Sequence, residues 1–451
     1  MLIMEIRTIG CETFLPSFSY FKRLRAMKYS NFNITNFTVR KYTNLSCLKS
    51  IWSILIFLLF SFLSLQATGN EVVPRDSNTF RFWGRKKPLI LGIARMDLYF
   101  DSLVGKRVAI VSNQTSIIGN THLVDTLFTL GIKIQKVFSP EHGFRGNADN
   151  GEKVHNEHDV KTGLDVISLY GHNRKPTKEQ LADVDVVLFD IQDVGVRFYT
   201  YISTLHYVME ACAENKIPLI VLDRPNPNAH YIDGPVRDEQ HKSFIGMHPV
   251  PIVYGMTIGE YAKMINHEYW LPDSLSCNLF VVPCKNYTHA TKYVLPIPPS
   301  PNLRSEFAIS LYPSLCLFEG TTVSIGRGTD TPFEVFGHPM FPTSDFQFTP
   351  TSGFGSKRPV NENKVCNGYD LKCLGIIEIN KLNIDWIIQA KTLLGDSIIF
   401  IDQPSFFDRL AGTSTLRQHI LNNVPEEEIR NSWETDLERF RAIRKKYLLY
   451  D

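Results

Sequence analysis

Four apolar runs of the chain each end at a cluster of small and polar residues. They cover residues 107–111, 132–138, 185–189 and 218–222, and most of their apolar residues are Val, Ile and Leu. Such runs predict strands that are buried on both faces, as in a parallel sheet. Since ligands of open α/β sheets bind beyond the carboxyl ends of the strands, the polar clusters predict the rim of a functional site.

The polar residues that follow these runs are the candidates for catalysis and ligand binding. In chain order they are Asn113, then Glu141, His142 and Arg145, then Asp190, Gln192, Asp193, Arg197 and Tyr199, and then Arg224 and Asn226. Carboxylates, amides, a histidine and arginines gathered at strand ends are typical of an active site.

Strand and helix patterns alternate from residue 89 to about residue 284. This alternation predicts a Rossmann-like parallel sheet with helical crossovers. Apolar residues at helical spacing predict a helix over residues 199–214. Thr257 and Glu260 have the spacing of a capping box, which predicts the start of another helix.

A proline-rich segment at residues 296–303 can continue neither a helix nor a central strand, so it predicts a boundary between a domain 89–295 and a domain 296–451. In the second domain, residues 385–394 have a helical pattern. The last predicted helix carries an apolar stripe of Trp433, Leu437, Phe440, Ile443 and Tyr447. Glu319 and Arg327 lie in a Gly/Thr-rich stretch, where they either close a cleft or form a structural ion pair.

The N-terminal part of the chain has the pattern of a targeting segment. Residues 51–65 form an apolar run that is preceded by basic residues and followed by small and polar ones. The run is short for a membrane span, so we predict an exported protein with a signal segment within residues 1–67 and a linker over residues 68–88. Cleavage is expected near Ala67. The alternative is an uncleaved anchor that holds the protein to the membrane through residues 51–65.

Charge and motifs exclude several other classes of protein. The formal net charge is +2, which gives no electrostatic reason to expect a nucleic acid partner. The Gly-rich phosphate motifs of nucleotide-binding folds are absent after the first predicted strand, so we expect neither a nucleotide nor another cofactor. His155 and His158 lack the helical spacing of a zinc site, so no metal is predicted, and a metal-dependent hydrolase is a minor alternative.

Glu141 is the strongest single candidate for catalysis. It follows Pro140 directly after a predicted strand, beside Phe144 and close to glycines that allow a tight turn. A carboxyl group that is withdrawn from water in this way suits a general acid. The structural alternative is that Glu141 caps a loop or pairs with Arg145.

Asp190 and Asp193 crowd the end of the third apolar run. Two carboxylates so placed can orient one another, bind sugar hydroxyls or activate water. The structural alternative is an ion pair between Asp193 and Arg197 that stiffens the loop.

Several motifs in a fixed order resemble those of a known family. They occupy residues 139–146, 190–201, 223–227, 254–260, 299–303 and 312–321. Together they are similar to the exo-β-N-acetylmuramidases of the NamZ type, a bacterial glycoside hydrolase family formerly known only as a domain of unknown function. The similarity extends from about residue 89 to the C-terminus, and the order of the motifs makes it more specific than any single motif.

The resemblance implies an α/β fold in which a Rossmann-like catalytic domain is followed by a smaller α+β C-terminal domain, with a cleft between them. It also implies an enzyme of peptidoglycan turnover and cell wall recycling, and the export that the N-terminal segment predicts would place such an enzyme in the periplasm with its substrate. Such an enzyme releases β-1,4-linked N-acetylmuramic acid from the non-reducing ends of peptidoglycan fragments. The proposed catalytic glutamate of the family corresponds to Glu141, which we expect to be the general acid.

The resemblance also suggests roles for the other candidates. Asp190 or Asp193 would position water or the acetamido group of the substrate, and His142 would tune Glu141. An arginine would bind the lactyl carboxylate of muramic acid bidentately. The candidates for that arginine are Arg145, Arg197, Arg224 and Arg327, and further substrate contacts are expected from Asn113, Gln192, Tyr199, Asn226, Tyr254, Asn302 and Glu319. The alternative function is a non-catalytic periplasmic protein that binds sugars or muropeptides.

Overall fold

A seven-stranded sheet forms the centre of the described part of the chain. The structure is a computed structural model, and it describes residues 87–146, 157–375 and 379–451. In chain order the strands are β1 (Arg107–Ser112), β2 (Ile117–Ile118), β3 (Thr121–His122), β4 (Lys133–Ser139), β5 (Glu157–His158), β6 (Asp165–Ser168), β7 (Val186–Asp190), β8 (Leu219–Leu222), β9 (Leu279–Val282), β10 (Val335–His338), β11 (Gln347–Phe348) and β12 (Cys366–Asp370).

The order across the central sheet is β5-β6-β4-β1-β7-β8-β9. Six of these strands are parallel, and β5 pairs with β6 in the antiparallel direction at one edge. With the six parallel strands numbered in chain order, this is the 3-2-1-4-5-6 order of a Rossmann fold, whose ligand crevice lies where the strand order reverses. The predicted Rossmann-like parallel sheet is therefore confirmed.

The strand β1 shows why the sheet is buried on both faces. Ala109 and Val111 pack into one hydrophobic cluster, whereas Val108 and Ile110 pack into another. Because side chains alternate between the two faces of a strand, an apolar run without polar interruptions needs a core on each face.

Helices flank the sheet and form most of the region beyond it. In the described residues they are α1 (Leu123–Thr129), α2 (Lys178–Leu181), α3 (Tyr201–Glu214), α4 (Ile258–His267), α5 (Glu306–Leu315), α6 (Asp385–Leu394), α7 (Pro404–Ala411), α8 (Thr415–Leu421), α9 (Glu426–Asn431) and α10 (Glu434–Lys445). Thr257 and Glu260 form the predicted capping box of α4. The helix α3 begins later than predicted because the amide of Tyr199 bonds to the carbonyl of Val196 in a turn.

The region after the proline-rich segment is smaller and contains antiparallel strands, as predicted. β12 pairs with β10 on one side and with β11 on the other. The helix α6 has the predicted bounds. The predicted apolar stripe of the last helix is directed inward, since Trp433, Leu437, Phe440 and Tyr447 are buried.

The hydrophobic core is continuous across the predicted boundary at residue 296. One cluster joins Phe189 and Leu205, from the sheet and α3, to Leu311, Phe318 and Phe407 from the region beyond it. The division into domains 89–295 and 296–451 therefore remains a prediction. The predicted signal segment and all of the linker up to residue 86 lie outside the described residues. Within the described residues, no helix combines the length and the apolar character needed to cross a membrane.

Candidate active site

A cleft of about 480 Å³ opens at the carboxyl edge of the central sheet. Its walls come from the loops after β4, β6 and β7, from the segment after residue 299, and from α5 and α7. Six of the predicted site residues line it, namely Glu141, His142, Tyr199, Asn302, Glu319 and Arg327. Of the predicted residues at the strand ends, Glu141 and His142 after β4 and Tyr199 after β7 reach this cavity, whereas none of those after β1 and β8 lines it.

Glu141 is placed in the cleft by a sharp turn after β4. The turn places His142 and Gly143 at φ values of 76° and 79°, in the left-handed region. Glycine adopts this conformation freely, whereas for His142 it costs on the order of 1 kcal/mol. A strained residue beside a carboxylate at a strand end is typical of a functional turn.

Hydroxyl groups from two other loops contact the Glu141 carboxylate. Thr200 Oγ1 lies 3.4 Å from Oε2 of Glu141, at the long end of the hydrogen-bond range. The phenol of Tyr170 also donates a hydrogen bond to Glu141, and burial together with the Glu141 charge raises the pKa of Tyr170. These hydroxyl donors help to fix the position of the carboxyl group in the cleft.

Two tyrosines form the wall between the sheet and the proline-rich segment. The hydroxyls of Tyr199 and Tyr201 both donate to the carbonyl oxygen of Pro299, at 2.9 and 3.2 Å. Asn113 lies behind this wall, where its amide donates to the Tyr201 hydroxyl at 3.0 Å. Asn302 lines the cleft and donates to the carbonyl of Gly355 at 2.6 Å. Asn113 therefore supports the wall without lining the cleft.

Glu319 and Arg327 form an ion pair that is itself part of the cleft wall. The Nε of Arg327 lies 2.6 Å from Oε1 of Glu319, and its guanidinium carbon lies 4.8 Å from the centre of the Phe333 ring. The two alternatives for this stretch, a cleft wall and a structural ion pair, do not exclude each other, because the ion pair itself faces the cavity.

Asp190 does not line the cleft. Its carboxylate is fully buried and makes two hydrogen bonds of 2.7 Å with Nε and Nη2 of Arg224. A carboxylate without solvent access in a bidentate ion pair has no oxygen positioned to reach a sugar, so Asp190 and Arg224 are placed as structural residues.

Asp193 is also buried behind the cleft, and it does not pair with Arg197 as the structural alternative supposed. It accepts hydrogen bonds from the amide of Gly195, at 2.6 Å, and from the hydroxyl of Tyr254. Burial raises the pKa of Asp193 to about 6. Tyr254 therefore holds the loop of Asp193 in place and is not exposed to the cavity.

The two polar neighbours of this loop have equally local partners. Gln192 donates to the carbonyls of Asp193 and Pro225, at 2.7 and 2.8 Å. Asn226 donates to the carbonyl of Met256 at 2.8 Å, and a Cβ atom at Gly195 would lie 2.1 Å from its side chain. Both side chains shape the strand ends and lie outside the cavity lining.

Arg197 and Arg145 are engaged away from the cleft. The guanidinium of Arg197 donates to four backbone carbonyls, those of Pro235, Val250, Leu410 and Ala411, and burial lowers its pKa to about 9. Arg145 does not pair with Glu141, because it forms ion pairs with Asp125 and Asp159 at 3.0 and 2.9 Å. Of the four arginines suggested for carboxylate recognition, the cleft contains Arg327.

Sequence reasoning missed several residues of the cleft wall. The most important are Tyr170, Arg174, Thr200, Phe244, Tyr312 and Arg409. Tyr170 and Arg174 follow the end of β6, so the rule that selected the other strand ends would have found them. Phe244 and Arg409 lie in segments that have no local signal of a site.

No group of three or more His, Cys, Asp or Glu residues in the described ranges is arranged to hold a metal ion. His155, on which the metal alternative rests, lies outside those ranges. His158 lies 2.7 Å from Asp165 and is exposed.

The fold and the cleft define an α/β protein whose site suits acid–base chemistry on a polar ligand, with a glutamate at the carboxyl edge of a Rossmann-like sheet. Two family models match the chain, the N-terminal and the C-terminal model of exo-β-N-acetylmuramidase NamZ, over residues 108–306 and 310–450. The chain therefore belongs to the exo-β-N-acetylmuramidase NamZ family, and the resemblance of the motifs is confirmed.

Similar proteins agree with this assignment. The chain is 39% identical to the peptidoglycan β-N-acetylmuramidase NamZ of Bacillus subtilis strain 168 over 377 residues, which are 78% of this chain and 89% of that protein. A crystal structure of a DUF1343 family protein from Bacteroides fragilis NCTC 9343 has a TM-score of 0.75 at 46% identity, covering 81% of this chain and 99% of the other. A second DUF1343 protein from that organism has a TM-score of 0.68 at 30% identity, covering 80% and 99%.

Proposed function

We propose that this protein is an exo-acting glycoside hydrolase that releases β-1,4-linked N-acetylmuramic acid from the non-reducing ends of peptidoglycan fragments, with Glu141 as the general acid. Membership of the NamZ family, together with the named activity of the Bacillus subtilis relative, supports a glycosidase that acts on peptidoglycan. The geometry of the cleft supports the role of Glu141.

The observation that carries the proposal is the arrangement of the carboxylates in the cleft wall. Among the described residues that line it, the carboxylates are Glu141 and Glu319. Glu319 is held in an ion pair by Arg327. Glu141 is contacted by the hydroxyls of Thr200 and Tyr170, which help to hold its carboxyl group in the cleft, so we assign the proton-donor role to Glu141.

Glycoside hydrolysis requires a proton for the leaving oxygen and a second group on the other face of the sugar. Glu141 would deliver the proton to the glycosidic oxygen as its bond to the anomeric carbon breaks. The buried positions of Asp190 and Asp193 leave that second role to Glu319 or to the acetamido group of the substrate. His142, which lines the cleft next to Glu141, would assist the proton transfer.

Export to the periplasm is part of the same proposal, because it places the enzyme with its substrate. It is supported by the apolar run at residues 51–65. N-terminal sequencing of the protein recovered from periplasmic and membrane fractions tests it. A mature start near residue 68 in the periplasm supports a cleaved signal, whereas an intact segment in the membrane fraction supports an anchor.

The test of the activity is release of a chromogenic aglycone from a β-N-acetylmuramic acid glycoside, with the β-N-acetylglucosamine glycoside beside it. Glu141→Gln keeps the shape of the side chain but removes the transferable proton. We expect kcat/KM to fall by roughly 100- to 10 000-fold, the usual contribution of a general acid. Glu438→Gln, an exposed position on α10, is the matched control and should keep full activity.

Two results would contradict the proposal. Turnover by Glu141→Gln at the rate of the wild type would remove Glu141 from the chemistry. Binding of muramic acid glycosides by the folded wild type without any turnover would favour the non-catalytic binding protein.

A further inference from the structure

The cleft wall contains three arginines, Arg174, Arg327 and Arg409, among the described residues that line it. The charge of Arg327 is balanced by Glu319. For Arg174 and Arg409, the described part of the chain places no carboxylate within 4.0 Å of the guanidinium nitrogens. The cleft therefore holds positive charge that the protein itself does not neutralise.

Arg174 is held by two contacts that leave much of its guanidinium available. Its Nε donates to the carbonyl of Gly171 at 3.1 Å, and its guanidinium carbon lies 4.4 Å from the centre of the Phe244 ring. The Phe244 ring stacks on Tyr207, with ring centres 6.3 Å apart, and the Phe244 carbonyl accepts a hydrogen bond of 2.6 Å from Ser203 on α3. The cation thus rests on an anchored aromatic platform.

Arg174 also lies on the side of the cleft that carries Glu141. Tyr170, in the same loop, donates a hydrogen bond to Glu141, and the charge of Arg174 acts on the Tyr170 phenol. Arg409 lacks this link, and its guanidinium carbon lies 5.8 Å from the nearest ring, that of Phe406. Of these two cations, Arg174 therefore has the shorter ring contact and the link to the loop that contacts Glu141.

We propose that Arg174 binds the lactyl carboxylate of the muramic acid residue and so determines specificity. This inference rests on the proposed function. N-acetylmuramic acid differs from N-acetylglucosamine by a lactyl ether on the 3-oxygen, which adds one carboxylate. The Nη groups of Arg174 form a planar pair of donors that matches a carboxylate, and the Phe244 ring fixes their plane.

The experiment compares three chromogenic β-glycosides, those of N-acetylmuramic acid, of its lactyl carboxamide and of N-acetylglucosamine. In Arg174→Gln we expect KM for the acid to rise roughly ten- to 100-fold, the usual loss of a charge-assisted hydrogen bond, with little change in kcat. For the neutral carboxamide, the variant and the wild type should have similar kcat/KM. If Arg174 had only a structural role, Arg174→Gln would lower kcat/KM equally for all three glycosides.

Arg304→Gln is the matched control, because Arg304 is exposed, lies outside the cleft and donates through Nε to the carbonyl three residues before it, as Arg174 does. Arg304→Gln should leave KM and kcat unchanged for all three glycosides. Phe244→Leu keeps the cation but removes its platform, so we expect a smaller rise in KM for the acid than in Arg174→Gln. Thermal unfolding of each variant shows whether it is folded.

The assignment is overturned if Arg174→Gln keeps the wild-type preference for the acid over its carboxamide. It is also overturned if Arg409→Gln, and not Arg174→Gln, abolishes that preference. These failures are distinguishable from a failure of the proposed function, because in that case the wild type itself would not hydrolyse the muramic acid glycoside.

Discussion

Burial separates the polar residues at the sheet edge into two groups with different roles. Asp190, Asp193 and Arg197 are almost without solvent exposure and have protein partners. A buried charge is tolerated only with such partners, so these side chains fix the loops. Glu141 is half-buried and lines the cavity, where the hydroxyls of Thr200 and Tyr170 contact its carboxylate. The charged residues that follow the strands thus separate into a carboxylate that lines the cleft and buried groups whose partners hold the loops.

Asp193 gives this separation a measurable consequence. Burial raises its pKa to about 6 in the folded protein, above the value of 3.8 for an unperturbed carboxyl. The folded state therefore holds a proton that the unfolded state releases, and this contribution to stability is present below about pH 4 and is lost as the pH rises through about 6. Relative to Asp193→Asn, the wild type should lose about 3 kcal/mol of unfolding free energy over this range.

Urea unfolding of the wild type and Asp193→Asn between pH 4 and pH 7 measures this difference. The other carboxyl groups are common to both proteins, so they cancel in the comparison. Asp97→Asn, at an exposed position, is the control and should follow the wild type. Parallel curves for the wild type and Asp193→Asn would contradict a raised pKa for Asp193.

At the scale of the elements, capping boxes appear in two settings that differ in burial. Thr177 caps the short helix α2 at the surface, and Thr257 caps α4 in the interior. The hydroxyl of Thr257 has a second task, since it donates to Oδ2 of the buried Asp223 at 2.8 Å. We therefore expect the capping box to contribute more to the unfolding free energy at Thr257, where the capping hydroxyl also donates to a buried carboxyl group.

We expect Thr257→Ala to cost roughly 2–4 kcal/mol of unfolding free energy, because it removes a cap and leaves the carboxyl of Asp223 with one donor fewer. Thr177→Ala removes a cap alone, so about 1 kcal/mol or less is expected. Chemical denaturation of both variants measures the two losses. Equal losses would show that the contact with Asp223 adds nothing.

The elements were largely predictable from the sequence, whereas the site was predictable only in part. Buried strands and capped helices are encoded by neighbouring residues, and β1, β8, α4 and α6 follow their patterns. Which polar side chains face the cavity depends on distant partners. The ion pair with Arg224 keeps Asp190 out of the cleft. Arg197 is likewise kept out by hydrogen bonds to carbonyls of α7, which lie 213 and 214 residues further along the chain. No local pattern specifies such partners, so buried and reactive charges looked alike.

At the scale of the whole molecule, the last residues of the chain return to the central sheet. The amide of Leu449 donates to Glu260 at 2.7 Å, and the hydroxyl of Tyr450 donates to Asp223 at 2.5 Å. The amide of Cys284 in turn donates to the Tyr450 hydroxyl at 2.8 Å. These contacts therefore join the C-terminal end of the chain to the strand ends of β8 and β9 and to α4, on residues that do not line the cleft.

Tyr450→Phe tests the strength of this tie without touching the cleft. The substitution keeps the ring but leaves the Asp223 carboxyl and the Cys284 amide each without one partner. Loss of hydrogen bonds from buried groups should lower the unfolding free energy by roughly 2–4 kcal/mol. Tyr269→Phe, at a residue that is 68% exposed, should change the unfolding free energy little.

Because neither Tyr450 nor Tyr269 lines the cleft, kcat/KM of the folded variants on the muramic acid glycoside should match the wild type well below the unfolding temperature. A loss of activity without a loss of stability in Tyr450→Phe would instead place the tie in the catalytic machinery.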